Sequence, residues 1–408
     1  MIKMEEKLYL RELAKKYLEY AYLDEMKGKE RLWYEHNDFQ SRRTPVIMEI
    51  DTFLNDILPP VKCETVYGKE IEKYPQYYIV NYELIGDDKV IPLEYRVPMQ
   101  IDFKIFDFEI QNEHAEGGGG IGFHTKPAIT DLENQVYDLK KSTYHYDKKA
   151  SERHLFYAKE VLDGLMPAVY ENQSLRWALM PTKIVVDLMT MQEMFMAMYD
   201  CPDEFHLLMR KITDDLKEYC LWQEKEGLLT WNGANHFVGA GSYGFTKSLK
   251  QNRPCLEEMW GNINSQESVG ISPAMYAEFL APYYKELAEM FGAVYYGCCE
   301  PANETWDSIR AYDHLKKVSV SAWADQPFMG EVLAENNMIY SRKPSPNFIG
   351  VPNSFDEAEF EKYMSETFKA AKDCQLEIIF RDIYTLGGDL TKPRKAVRIV
   401  RNLIEKYR

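Results

Sequence analysis

Residues 293–301 read AVYYGCCEP. The short run Ala293 to Tyr296 is apolar or aromatic. Pro301 follows soon after, which is the pattern of a buried strand whose pairing a proline stops. Two thiols and a carboxylate, Cys298, Cys299 and Glu300, stand at its C-terminal end. A buried strand end, a metal site and a catalytic nucleophile all fit these residues. Neighbouring side chains on a strand point opposite ways, so one of the two cysteines is expected to face a site.

The same short apolar form recurs at 45–50, 183–188, 228–231, 262–265, 318–321, 338–341 and 376–381. Helical spacing fills the gaps at 151–172, 191–199, 203–226, 274–291, 303–312, 327–336, 356–373 and 393–407. Eight strands alternating with helices predict an α/β fold, a closed (β/α)8 TIM barrel, and a doubly wound sheet gives the same local pattern. Residues 4–25 carry an amphipathic helical pattern. YYIVNYELI and MQIDFKIFDFEI, between 75 and 110, alternate as a small antiparallel β insertion would. The chain thus reads as one barrel domain over 1–408, with an N-terminal helical and β extension over about 1–130.

Reactive groups of a barrel collect after the C-terminal ends of its strands. Here that filter selects Gln266 and Glu267; Cys298, Cys299 and Glu300; Trp323 and Asp325; Arg342 and Lys343; and Arg381 and Asp382. A thiolate beside Glu300, with Glu267 or Asp382 across the mouth, suits Zn²⁺, which accepts sulfur and oxygen ligands. His236, in the glycine-rich stretch NGANHFVGAGSYGF, is a candidate ligand, acid or base, or a support for its loop. The run 117–122, GGGGIG, matches a dinucleotide fingerprint in letters, but Pro127 and polar residues follow where a helix is needed. It reads as a flexible loop or lid.

With 65 acidic against 49 basic residues, the formal charge of −16 disfavours nucleic acid and anionic membranes as partners. No apolar run approaches the roughly 20 residues of a membrane span, and no secretory signal opens the chain, so a cytoplasmic protein is expected. Seven cysteines scattered over 408 residues are expected to be free thiols or ligands.

The segments NSQESVGISPAMYAEFLAPYY, FGAVYYGCCEP, LKKVSVSAWAD, YSRKPSPNF and LEIIFRDI, between about 261 and 382, resemble the uroporphyrinogen decarboxylase-like superfamily. Within it they are most similar to the branch of corrinoid-linked methyltransferases. The resemblance implies a (β/α)8 barrel with its site at the C-terminal strand ends. The decarboxylases carry an arginine-containing run after their first strand that grips carboxylates. Met48-Glu49-Ile50-Asp51 stands there instead, which argues against a porphyrinogen substrate. The methyltransferases bind zinc through a His-x-Cys motif, onto which Tyr296 and Cys298 fall. With Tyr296 in place of His, either other groups complete the site, giving a metal held by Cys298, Glu300 and Asp382, or no zinc binds. Tyr296, Asp325 and Arg342 then serve the leaving group, while Glu267, His236 and Trp323 contact substrate.

The activity so implied is transfer of a methyl group from a small methoxylated or methylated compound to a corrinoid carried by a partner protein. Two other classes remain open: a metal-independent decarboxylase acting on a smaller carboxylate, and a non-enzymatic barrel that binds a corrinoid or another ligand.

Overall fold

The computed structural model describes residues 2–114, 123–250, 253–351 and 354–408. The glycine run 117–122 lies outside the described residues. The strands are β1 (Val46–Met48), β2 (Tyr95–Pro98), β3 (Ile101–Lys104), β4 (Gln111–His114), β5 (Phe123–Lys126) and β6 (Thr143–Tyr146). They continue with β7 (Ala168–Glu171), β8 (Trp260–Ile263), β9 (Ala293–Tyr296), β10 (Leu315–Val320), β11 (Ile339–Arg342) and β12 (Gln375–Phe380). Six build one curled parallel sheet in the order β1-β12-β11-β10-β9-β8. Of the antiparallel insertion expected at 75–110 only Ile101–Lys104 is an antiparallel strand; it pairs as β3 with β6, β4 pairs with β5 in a second ribbon, and β2 and β7 form a separate parallel pair.

The described residues form this half-barrel in place of the expected closed sheet of eight parallel strands. Residues 183–188, read as a strand, belong to the helix Pro181–Leu188. Proline occupies its first turn, where a missing N–H costs nothing, and buried Thr182, Val185 and Leu188 recur at helical spacing. YYIVNYELI lies almost wholly inside the helix Val66–Leu84, whose buried Ile71, Pro75 and Ile79 sit four apart. That spacing outweighs the strand propensity of its aromatic and β-branched residues. The N-terminal helix stops at Ala21, and a second, Asp24–Asn37, follows.

Residues 228–231 form no strand. Just beyond them, the Asn232 amide accepts from the Trp260 N–H (2.8 Å) and donates to its carbonyl (2.9 Å), covering the free edge of β8. At the other edge, Asp88 and Asp87 accept from the N–H groups of Val46 (2.8 Å) and Met48 (2.9 Å). Side chains therefore satisfy edge groups that a closed barrel would give to neighbouring strands.

Alternation along the strands sorts the two faces. Val318, Val320, Leu376, Ile378 and Phe380 pack into the main core against the helices, whereas Ile47 and Ile379 join Trp33 and Tyr243 in a small cluster on the concave side. On that side Lys317 and Glu377 are fully buried, with Lys317 Nζ 3.0 Å from Glu377 Oε2. The lysine also donates to Ser242 Oγ (2.6 Å) and the Tyr243 carbonyl (3.0 Å). Gln375 Nε2 donates to His36 Nδ1 (2.9 Å), which leaves the ring hydrogen on Nε2, 3.2 Å from Glu377. Among the described residues, no helix is long and apolar enough to cross a membrane.

Candidate active site at the C-terminal strand ends

Strand β9 stops at Tyr296, and Gly297 then adopts φ +95°, where a Cβ would be strained and would sit 3.1 Å from Ser319 Cβ. This turn breaks the strand alternation. Cys298 and Cys299 consequently line the same chamber, whereas a continued strand would present only one of them. The chamber encloses about 550 Å³, and Asn264, Lys343, Arg381 and Asp382 complete its polar wall from the ends of β8, β11 and β12.

Cys299 Sγ lies 3.2 Å from Asp382 Oδ2 and 3.6 Å from Cys298 Sγ, and its single hydrogen turns to Cys298 when that thiol ionises. Its hydrogen bond holds the Cys298 thiol below the usual range against the effect of burial, and the Arg381 guanidinium adds to this. The same shared bond, together with burial, pushes Cys299 up, so Cys298 ionises first. Asp382 sits at φ +59°, an uncommon backbone for a non-glycine residue, and its carboxylate lies 3.2 Å from Arg381 Nε. Lys343 is 4% exposed. Burial pulls its pKa down to about 7, and Nζ donates to Ser341 Oγ (2.8 Å) while lying 5.4 Å from the Tyr295 ring centre. Asn264 is buried with neither amide atom hydrogen-bonded, which leaves a donor and an acceptor for a ligand.

Trp177 and Arg381 also line a second chamber of about 750 Å³. Its walls are aromatic, with Tyr77, Tyr78, Tyr95, Phe237 and Tyr243 among them, and Glu49 and Arg176 stand beside Arg381. His236 lies here, apart from the thiols, with Nε2 3.3 Å from Glu171 Oε1. Burial takes its pKa down to about 3, so it is neutral.

Of the residues to which the sequence reading gave a role, Cys298, Asp382 and Trp323 share the thiol chamber, beside the strand-end groups Gln266, Cys299, Lys343 and Arg381, and Trp323 is 71% exposed at its rim. The others do not join them. Tyr296 points into the helix layer, bonded to Ser265 Oγ (2.7 Å) and Tyr276 OH (3.1 Å), because Tyr295 takes the concave side. Arg342 is buried on the helix side as well, donating to the Ser321 carbonyl (2.5 Å), Tyr363 OH (2.5 Å) and Thr367 Oγ1 (3.3 Å). Glu267 accepts from Thr182 Oγ1 (2.9 Å), and Glu300 accepts from the N–H groups of Ser265 (3.0 Å) and Cys298 (2.9 Å). Glu300 thus shapes the turn after β9, and burial raises its pKa.

Asp325 caps the helix Gln326–Glu335, its Oδ1 accepting from the Phe328 N–H (3.1 Å). Asp325→Ala is expected to cost about 1 kcal/mol in a denaturation midpoint and leave turnover unchanged. With Glu300 turned away, the expected zinc ligands do not converge. Among the described residues, no group of three or more His, Cys, Asp or Glu side chains is placed to hold a metal ion. The set therefore does not fit the ligand count that zinc requires.

Sequence pattern had marked Lys343 and Arg381 as strand-end groups without giving them a role. It passed over Asn264, Arg176 and Trp177. Asn264 fell inside a predicted strand, and Arg176 and Trp177 lie on the short turn Ser174–Trp177, which no strand-end filter reaches.

Fold and site together define an open parallel α/β sheet with a polar, thiol-bearing chamber at its C-terminal edge. No protein-family profile matches the chain, and no curated protein matches it in sequence. Among solved structures, a methyltransferase from Methanosarcina mazei is similar at 12% identity, with 93% of this chain and 99% of that chain covered and a TM-score of 0.50. At that identity the similarity is one of fold.

Proposed function

We propose that this protein is a methyltransferase of the uroporphyrinogen decarboxylase-like kind. In this reading it moves a methyl group from a small methylated substrate to the reduced cobalt of a corrinoid presented by a partner protein over the chamber mouth. The observation that carries the reading is the chamber at the strand ends, where Lys343, with a pKa of about 7, stands among Cys298, Cys299, Arg381 and Asp382. The fold it shares with a methyltransferase across nearly the whole chain lends support.

Demethylating an ether breaks the O–CH3 bond. Its electron pair stays on oxygen, cobalt(I) supplies the pair for the new bond to carbon, and the alkoxide needs a proton to leave. Lys343 supplies that proton from Nζ and regains it from solvent through the mouth. Glu377, and Cys298 once ionised, favour the charged form of Lys343 and so help to keep the acid loaded. Asn264 and Arg381 orient the substrate oxygen. No step is assigned to zinc.

The test is methylation of cob(I)alamin by the purified chain, supplied with methyl ethers, methylamines or methanol and followed by the corrinoid absorbance. The intact chain is expected to catalyse it with one of these donors, and Cys298→Ala to slow it, because Lys343 then loses a neighbour that favours its charged form. Absence of transfer from every donor, with free cob(I)alamin or a corrinoid protein, would sink the reading. Release of CO2 from a carboxylate substrate would replace it with the lyase.

A further inference from the structure

The larger chamber has no role in the chemistry above, yet it adjoins the thiol chamber through two shared residues, Trp177 and Arg381. Its volume of about 750 Å³ suits a ligand of ring size or larger. Aromatic walls of this kind hold either a flat ring by stacking or a cation by its attraction to ring faces. The charges around the rings decide between these.

Cations of the protein already face the rings nearest the thiol chamber. Lys89 Nζ lies 4.5 Å from the Tyr77 ring centre, while the Arg176 guanidinium lies 5.0 Å from Phe237 and 5.3 Å from Trp177. Arg381 is 5.8 Å from Trp177. Glu49, Asp51, Glu70 and Glu171 line the chamber too, but at the end shared with the thiol chamber, between Arg176 and Arg381, a cationic ligand would meet like charge. The same guanidiniums call for an acceptor. Glu49 is 3.7 Å from Arg176 and 3.5 Å from Arg381, beyond good hydrogen-bond reach, and Arg176 Nε and Arg381 Nη1 have no partner.

We infer that the larger chamber binds a neutral or anionic arene carrying an acceptor oxygen that faces Arg176 and Arg381. On the methyl-transfer reading, on which this assignment of substrate class rests, the ligand is an aryl methyl ether. Its ring lies in the aromatic chamber, and its ether oxygen reaches past Trp177 toward Lys343.

Calorimetric titration of the full chain without any corrinoid tests this, using 4-methoxybenzoate, 4-hydroxybenzoate, tetramethylammonium and methanol as probes. Both benzoates are expected to bind and to quench tryptophan fluorescence. Phe237→Ala and Arg176→Gln are each expected to weaken binding at least tenfold, in variants whose melting temperatures show them folded. Failure of both benzoates to bind, or tighter binding of tetramethylammonium, would overturn the inference. Arene binding without methyl transfer removes the proposed activity and leaves this site standing. Transfer from methanol without arene binding does the reverse.

Discussion

Lys317→Met is expected to lower the unfolding free energy by about 3–5 kcal/mol, read from the midpoint of a urea or guanidinium transition. Lys317 and Glu377 are both fully buried on the concave side of the sheet, from β10 and β12, with the carboxylate also facing His36. Burial works against the carboxylate, but Lys317 and the nearby His36 outweigh it and hold Glu377 below the usual carboxylate range. Removing the lysine leaves a charge in the interior with only a neutral imidazole beside it, since burial also holds the His36 pKa down. The double variant Lys317→Met/Glu377→Leu separates this cause from lost packing. It is expected to recover most of the loss, because replacing a buried pair as a unit is often neutral. A double variant as unstable as the single one would refute the account.

The same pair sets a pH dependence. Because the folded pKa of Glu377 lies below its unfolded value of about 4.3, the unfolded chain binds the extra proton first as pH falls. The stability contributed is complete above that value and declines below it. Lys317→Met/Glu377→Leu is expected to show a shallower acid limb.

Why some of this was legible in sequence and some was not is clearest along β11 and β9. Ile339–Arg342 is followed by Lys343, and residues two apart share a face. Ser341 and Lys343 lie on the concave side, and Arg342 lies with the helices. The letters YSRK give the period but not its phase, because three consecutive polar residues leave no apolar partner to mark the inner face. Choosing Arg342 over Lys343 was therefore a one-residue error of phase, and Tyr296 over Tyr295 was the same error on β9. The two cysteines failed the alternation rule for another reason: Gly297 leaves the strand conformation before they are reached.

Among the strands between helices, β9 was legible because burial on both faces makes it continuously apolar, and β10 and β12 because Val318 and Val320, and Leu376, Ile378 and Phe380, recur two apart. KIVVDL was not, since six apolar-rich residues fit a strand or a helix alike and only Pro181 pointed to the helix. Nor were the sheet edges legible. Asp87, Asp88 and Asn232 act through backbone groups that sequence periodicity does not register.

Lys343→Met is expected to reduce methyl transfer from an ether by roughly 10²–10⁴-fold, the range for loss of a positioned proton donor. The residue is 4% exposed and, for want of water, has a pKa of about 7, so near neutrality it is present in both forms. Turnover by the intact chain should fall on the alkaline side with a midpoint near pH 7, as the ammonium is lost, and the variant should lack this limb. A donor whose leaving group is a weak base, such as a methyl ester of an aromatic acid, should be affected less, because its anion departs without a proton. Stability supplies an independent reading. With a folded pKa below the unfolded value of about 10.4, the unfolded chain binds more protons between pH 7 and 10, so the intact protein gains stability across that window. Lys343→Met removes the titrating group and with it that gain, leaving a flatter profile and no loss of stability at neutral pH. A variant that keeps the alkaline limb in turnover would take Lys343 out of the proton-transfer step. A variant that loses activity but keeps the stability slope would show that another buried lysine, with Lys89 and Lys317 the nearest in character, is the group that titrates.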